Sequence, residues 1–460
     1  MSGRDINFIY EFTTPLGYLP MGYNHQDIPL IFDDINNRDV GLFFHPLIYY
    51  GTPSKNDFYQ CLAESHCVYE IFSSEKFTRK QVDELDNEDL ENKLNLFVIT
   101  PTHNQTIIHK LEDSLLIDSF TQKSLEYLRT NKNFKVVIFD NKEGGYTYPD
   151  TFFNNFLEFY NQTQIQPNQL IFITNTANIN DIYQNYKTIK NIDFDFMECH
   201  CLHSFIYDAA GNCIVDYYEK ADPENKSEVE YDNVMYSIPW MGELNETRSK
   251  YFLCMNRNSE RLHRTYLVSE LIEEGLFDKG YISLLQSDTV DEMCSRDEKL
   301  KRNIGDRYPF TIDYDDKNFI AGMHNFFNSK ESWLDSYFSI VNETTNDSSH
   351  IFITEKSVRP MIYYHPFIIY GNPHTLKELK KLGFETFPEF FDESYDDELD
   401  PIKRMNMIVS NVKNICELPR EEVHNIYQSV KPKLLHNRKR LVDMSMNKKE
   451  INTFINAVSG

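Results

Sequence analysis

Glycine is scarce in this chain, at 16 of 460 residues, which argues against a glycine-rich phosphate loop as the main device for holding a ligand. Basic residues are outnumbered, 46 against 71 acidic, for a formal charge of −25. That balance repels nucleic acid and anionic membranes at long range, so a nucleic-acid partner is not expected. No apolar run approaches the roughly 20 residues a membrane span needs. The start, MSGRDINFIYEF, lacks a basic-then-apolar leader, so a cytoplasmic protein is expected (the host cytoplasm, if the chain is viral). The 8 cysteines show no repeating spacing. The tightest group, Cys199-His200-Cys201 with His203, has no second half-site, so thiols packed in a strand are expected and no metal.

Apolar residues make up 41% and aromatics 14%. A chain of this length and composition buries large cores and divides into domains. From Leu94 onward short apolar runs alternate with helix-like stretches: NLFVITP, FKVVIFDN, QLIFITNTAN and IDFDFMECH read as strands, with helical segments between them. A polar, acidic stretch near 208–250 reads as a connector. The alternation then restarts with KYFLCMN, the helix TYLVSELIEEGL, and YISLLQ. SYFSIVNET and HIFITEK read as strand-like, PMIYYH as a short helix, PFIIYGN as a strand, and TLKELKKLG as a helix capped by Gly383.

The expected fold class is therefore α/β, with two Rossmann-like doubly wound domains facing a cleft and a helical C-terminal tail. The expected divisions are 1–90, an extension or part of the acceptor domain; 91–245, the first Rossmann-like domain with connector; 246–425, the second; and 426–460, a basic helical tail.

Ligands of such sheets bind outside the carboxyl ends of the strands, and four stretches fall there in the second half. CMNRNSERLHR crowds Arg257, Arg261, His263 and Arg264 at a strand-to-helix turn of an acidic protein. A helix start favours anions, and arginine grips phosphate through two donors at once. Asn342, Glu343 and Thr344 follow SYFSIV. Thr354-Glu355-Lys356 offers a carboxylate for ribose hydroxyls beside an ammonium for a diphosphate. Gly371, in YGNP, allows close backbone approach.

These stretches, in the order FLCMNRN…R, VNET, ITEK, resemble the donor-site region of the α-1,3-fucosyltransferase-like glycosyltransferases. Residues 250–400 also resemble viral and phage-type glycosyltransferases, with LCMNRN…RLHR preceding TEKSVRP and HPFIIYGNPHTLKELKKLGFETF. The resemblance implies a GT-B fold, a nucleotide-sugar donor on the C-terminal domain, and inverting transfer without a metal. It implies that Glu355 holds the donor ribose and that Lys356 neutralises the diphosphate. Arg261 shares that task, with Arg264 as its alternative, and Asn342 lines the pocket. Val-Asn-Glu-Thr stands here in place of Phe-Glu-Asn-Thr, which leaves the sugar open. No resident cofactor is implied; a GDP- or UDP-linked sugar is the co-substrate, and a glycan or other hydroxyl the acceptor.

Inversion needs a base for the acceptor hydroxyl. FDNKEGG offers Glu143 and Asp140, with Glu143 preferred beside Gly144-Gly145, and His103 is a further candidate. Two other readings remain: a non-catalytic nucleotide- or glycan-binding protein on the same fold, or a transferase acting on DNA bases. The second rests on the basic tail residues Lys431, Lys433, Arg438, Lys439 and Arg440.

Overall fold

The computed structural model describes residues 6–10, 77–99, 116–140, 150–204, 206–207, 242–256, 261–285, 287–307, 309–310, 312, 330–446 and 449–459. The chain forms two compact units, Met1–Asp208 with Lys448–Gly460, and Ala209–Asn447.

The first unit is built on a six-stranded sheet with strand order β2-β1-β3-β4-β5-β6. Its strands are β1 (Ile6–Tyr10), β2 (Phe77–Gln81), β3 (Leu94–Ile99), β4 (Phe134–Asp140), β5 (Leu170–Thr174) and β6 (Glu198–Cys201). Every neighbouring pair is parallel. Buried parallel strands are covered on both faces, and so read as unbroken apolar runs. β3 is buried at all its positions, and so is β5. The helices are α1 (Asn87–Asn92), α2 (Gln122–Thr130), α3 (Asp150–Thr163) and α4 (Ile179–Lys190). The abundance of phenylalanine has its use here: Phe152 of α3 meets Phe172 of β5 edge-on at 5.1 Å between ring centres, and Phe97 of β3 lies 4.7 Å from Phe120. Residues 1–90 contribute β1 and β2 to this sheet, with β1 between β2 and β3.

The second unit carries a four-stranded parallel sheet, order β8-β7-β9-β10. Its strands are β7 (Lys250–Cys254), β8 (Gly280–Ile282), β9 (Ser336–Asn342) and β10 (Phe367–Tyr370). The helices are α5 (Leu262–Glu273), α6 (Asp288–Arg296), α7 (Glu298–Asn303), α8 (Lys330–Leu334), α9 (Glu355–Ile362) and α10 (Thr375–Lys381). After these come α11 (Pro401–Glu417), α12 (Arg420–Ser429) and α13 (Lys431–Met446). The last helix, α14 (Lys449–Ser459), belongs to the first unit, where Phe454 lies 6.0 Å from Phe8 of β1.

Both units are thus parallel α/β folds of Rossmann-like type with the same opening strand order. The chain steps from the first strand to one side, then crosses back to the other. That reversal opens a crevice at the carboxyl ends of β1 and β3, and of β7 and β9.

One expectation changes at local level. HIFITEK is not a strand: only Phe352 within it has a bridge, and a helix begins at Glu355. The cause is the Thr354 side chain, which accepts from Lys356 N and caps α9. Gly383 ends α10 as expected, with a φ of +86° that a side chain disfavours.

Candidate functional site

The crevice between β7 and β9 gathers most of the residues singled out in the second half. Asn256, two residues past β7, is bridged to Asn342, the last residue of β9: Asn342 Nδ2 donates to Asn256 Oδ1 at 3.1 Å. Asn256 in turn takes its own backbone N–H to Ser283 Oγ at 3.0 Å, which ties β7 to the segment after β8. Two buried amides therefore span the point where the strand order reverses.

From β7 the chain enters α5 through Arg261, which occupies the N-cap position and supplies no side-chain cap. Its side chain is exposed. His263 and Arg264 follow in the first turn and point the other way, to β9. His263 Nε2 donates to Glu343 O at 2.9 Å, and Arg264 Nη2 donates to the same carbonyl at 3.2 Å. The two arginines that sequence left as alternatives thus have different surroundings: Arg264 is buried against the backbone of Glu343, while Arg261 is open to solvent.

Burial holds His263 down to about 4, with the neighbouring Arg264 and Arg261 acting in the same direction and the Glu343 carbonyl opposing them. The imidazole is neutral at pH 7. In the unfolded chain it takes a proton near 6.5. The stabilisation from keeping it neutral is therefore complete above about 6.5 and is lost as pH falls toward 4. Urea midpoints are expected to drop across that window by the equivalent of about 3 kcal/mol, and His263→Gln should flatten the drop.

Glu343 is the hub of the site. It is fully buried. Its carboxyl oxygens accept from Thr354 N at 3.1 Å, Thr354 Oγ1 at 2.5 Å, Ser357 Oγ at 2.5 Å and Thr344 N at 3.2 Å. All four donors belong to the chain itself. Glu343 therefore works by fixing the segment from Thr354 to Ser357 over the end of β9, and its burial keeps it from direct contact with a donor. Gly371 serves the same residue: a Cβ at this position lies 3.1 Å from both Cβ and Cγ of Glu343. The close approach permitted by this glycine is to Glu343. With Glu343 pinned by four hydrogen bonds the clash has no relief, so Gly371→Ala is expected to cost about 1–3 kcal/mol in chemical denaturation.

Thr354, so held, presents Glu355 and Lys356 in the first turn of α9. Lys356 Nζ meets Glu355 Oε1 at 2.8 Å and the hydroxyls of Thr344 and Thr354 at 3.3 Å each. Burial pushes the Glu355 carboxyl up, but Lys356 and Arg359 overcome it and bring the group down to about 2. Glu355 is ionised at neutral pH with 15% of its side chain exposed, beside an ammonium with 24% exposed. The pair is shielded enough to be ordered and open enough to meet a ligand.

Arg257, Glu143 and His103 lie outside the described residues. Asp140 ends β4 and is buried, next to Thr174 of β5 in register. The tail lysines and arginines are engaged by the second unit: Lys433 pairs with Glu389 at 2.7 Å, Lys439 with Asp443 at 3.3 Å, and Lys431 reaches Asn245 Oδ1 at 3.0 Å. Arg438 donates to Ile362 O at 2.5 Å and Arg440 to Leu382 O at 2.9 Å. The basic tail is therefore packed along the second unit rather than extended as a free arm. Among the described residues no three His, Cys, Asp or Glu side chains converge in a way that suits a metal ion, and no helix is long and apolar enough to cross a membrane. Asn256 and Ser357 are the residues of the site that sequence reasoning passed over. Asn256 was readable as the residue just past a buried strand, whereas nothing local to Ser357 announces its bond to Glu343.

No protein-family model matches the chain, and neither does any curated protein sequence. A solved structure, that of an α,α-trehalose 6-phosphate synthase from Burkholderia multivorans, is similar over 99% of this chain and 96% of its own, at 10% identity and a TM-score of 0.39.

Proposed function

We propose that the second unit binds a nucleoside-diphosphate sugar at the β7–β9 crevice and that the chain is an inverting, metal-independent glycosyltransferase of GT-B type. The observation that carries this reading is the placement of Arg261, at the helix start after β7, and of the Glu355–Lys356 pair, beside Thr344 past the end of β9, about the reversal point of a parallel sheet in an acidic protein. Glu355, ionised and partly exposed, suits two ribose hydroxyls. Lys356 has two long contacts with neutral hydroxyls, at 3.3 Å, that phosphate oxygens can replace at a gain. Arg261 adds a guanidinium that no cap or ion pair occupies among the described residues. The donor-site resemblance of residues 250–400 points the same way.

In the reaction the acceptor oxygen forms its bond to the anomeric carbon as the bond from that carbon to the phosphate oxygen breaks. The electron pair leaves with the diphosphate, where Arg261 and Lys356 neutralise it, the role a divalent metal has in other transferases. The acceptor proton goes to a general base. Asp140 is buried, at 4% exposure, and an acceptor cannot easily reach it. Glu143 is therefore the proposed base. GDP and UDP are the expected nucleotides, and a glycan hydroxyl the acceptor.

The test is release of nucleoside diphosphate from a panel of nucleotide sugars, with and without EDTA. One donor is expected to turn over, by slow hydrolysis or by transfer to added glycans, at a rate EDTA does not change. Loss of all turnover in EDTA, restored by a divalent ion, contradicts the metal-free mechanism. Nucleotide binding without turnover for any donor and glycan leaves a binding protein.

A further inference from the structure

A cavity of about 330 Å³ lies within the first unit, at the carboxyl ends of β5 and β6. Its floor is apolar, from the buried Ile173, Leu202 and Ala457. Its rim is polar, from Asn180, His200 and Asn456, with both asparagines exposed to solvent. One wall is α14, which the chain brings back to this unit after building all of the second. Tyr207 OH and Thr453 Oγ1 at 3.4 Å, together with the Phe8–Phe454 contact, fasten that wall.

The chemistry of the lining is selective. No lysine, arginine, aspartate or glutamate contributes to it. Burial lowers His200 against the opposing pull of Glu198, so the imidazole is neutral at pH 7. Burial also pushes the Cys199 thiol up, so it carries no charge there. What remains is a set of amides, an imidazole, a hydroxyl and thiols above an aliphatic floor. A phosphate or carboxylate finds no counter-charge in it, and a purely apolar ligand makes no use of the amides at the rim. A pyranose answers both sides, with hydroxyls for the rim and C–H bonds for the floor. The volume lies at the small end for ligand pockets, which suits one sugar unit.

We infer that this cavity, walled by α14, holds one neutral sugar unit. Identifying that unit as part of the acceptor rests on the glycosyl-transfer reading; the preference for an uncharged polyol does not.

Cys201 lines the same cavity and is half-buried, whereas Cys199, Cys254 and Cys416 are buried. Its alkylation by N-ethylmaleimide, followed by peptide mass spectrometry, therefore reports occupancy, with the half-buried Cys294 as internal reference. Neutral mono- and disaccharides are compared with the matching sugar phosphates on the full chain and on Asn456→Leu, a substitution at an exposed position. At least one neutral sugar is expected to slow Cys201 alkylation several-fold while Cys294 is unchanged, and Asn456→Leu is expected to remove that protection. The inference is overturned if no neutral sugar protects, if sugar phosphates protect as well or better, or if protection survives Asn456→Leu. Nucleotide binding at the second unit is read separately, so either claim can fail alone. A raised KM for the sugar in Asn456→Leu, with kcat unchanged, identifies the acceptor; unchanged transfer identifies a separate regulatory sugar.

Discussion

Glu343→Ala is expected to lose about 4 kcal/mol of folding stability in urea, the largest effect of any single substitution at the site. The reason is the number of donors released. The backbone N–H groups of Thr344 and Thr354 and the hydroxyls of Thr354 and Ser357 all end on this one carboxyl, and the residue is fully buried. Each donor left buried without a partner costs about 1–3 kcal/mol, less what rotation or an entering water recovers. Glu343→Gln keeps the shape but turns a donor toward donors, and is expected to cost roughly half as much. Because Glu343 fixes the start of α9, either variant should also lose nucleotide binding at temperatures where it is still folded. A loss below about 1 kcal/mol for Glu343→Ala would show that the Thr354 segment is held by something else.

Lys356→Ala is the second large expectation, and its signature is different. Removing one charge-assisted contact to a diphosphate costs about 2–3 kcal/mol of binding, or roughly 30- to 150-fold in Kd. It also takes away the leading favourable charge beside Glu355. With Lys356 present, the Glu355 carboxyl sits near 2 against an ordinary 4.5. Its stabilisation is complete above about 4.5 and lost as pH falls toward 2. In the variant the carboxyl rises, so the variant's deficit in stability is greatest at neutral pH and shrinks below pH 4. Chemical denaturation of both proteins at pH 7, 4 and 3 checks this. A deficit that does not change with pH contradicts the ion pair as the source of the shift.

Much of the second unit was legible because its strands are local and doubly buried. KYFLCMN and SYFSIVN are short, largely apolar runs ending in asparagine, and they became β7 and β9 with those asparagines bridged at their ends. HIFITEK misled because its apolar, β-branched run has strand composition, while the decisive feature was the Thr354 cap two residues before Lys356. A close approach at Gly371 was legible, but neither its partner nor the hub role of Glu343 was. VNET and YGNP lie far apart in the chain, and only folding brings a Gly371 Cβ position to 3.1 Å from Glu343. The first unit hid more. β2 is FTRKQ, polar in composition because it is an edge strand, and β1 pairs with β3 across more than 80 residues, as in Ile6 with Leu94. Helix α14 packs with strands whose residues precede it by hundreds of positions, and no periodicity announces such a return. The basic tail shows the converse: a run of lysines and arginines that looked available proves to be spent on carbonyls and carboxylates of its own unit.

The central claim is that the Glu355–Lys356 pair, with Arg261, forms a nucleoside-diphosphate site. Thermal unfolding with GDP, UDP, CDP and ADP, each with and without EDTA, tests it on the wild type, Arg261→Ala and Lys356→Ala. At about 100 times its Kd, a ligand that binds only the folded state adds roughly 2.7 kcal/mol of stability, a readily measured rise in Tm. The account predicts that one nucleotide raises Tm, that EDTA does not change the rise, and that both variants lose most of it. No rise with any nucleotide, or a rise that both variants keep, would make the pair a structural feature of the α9 cap and remove the basis for glycosyl transfer.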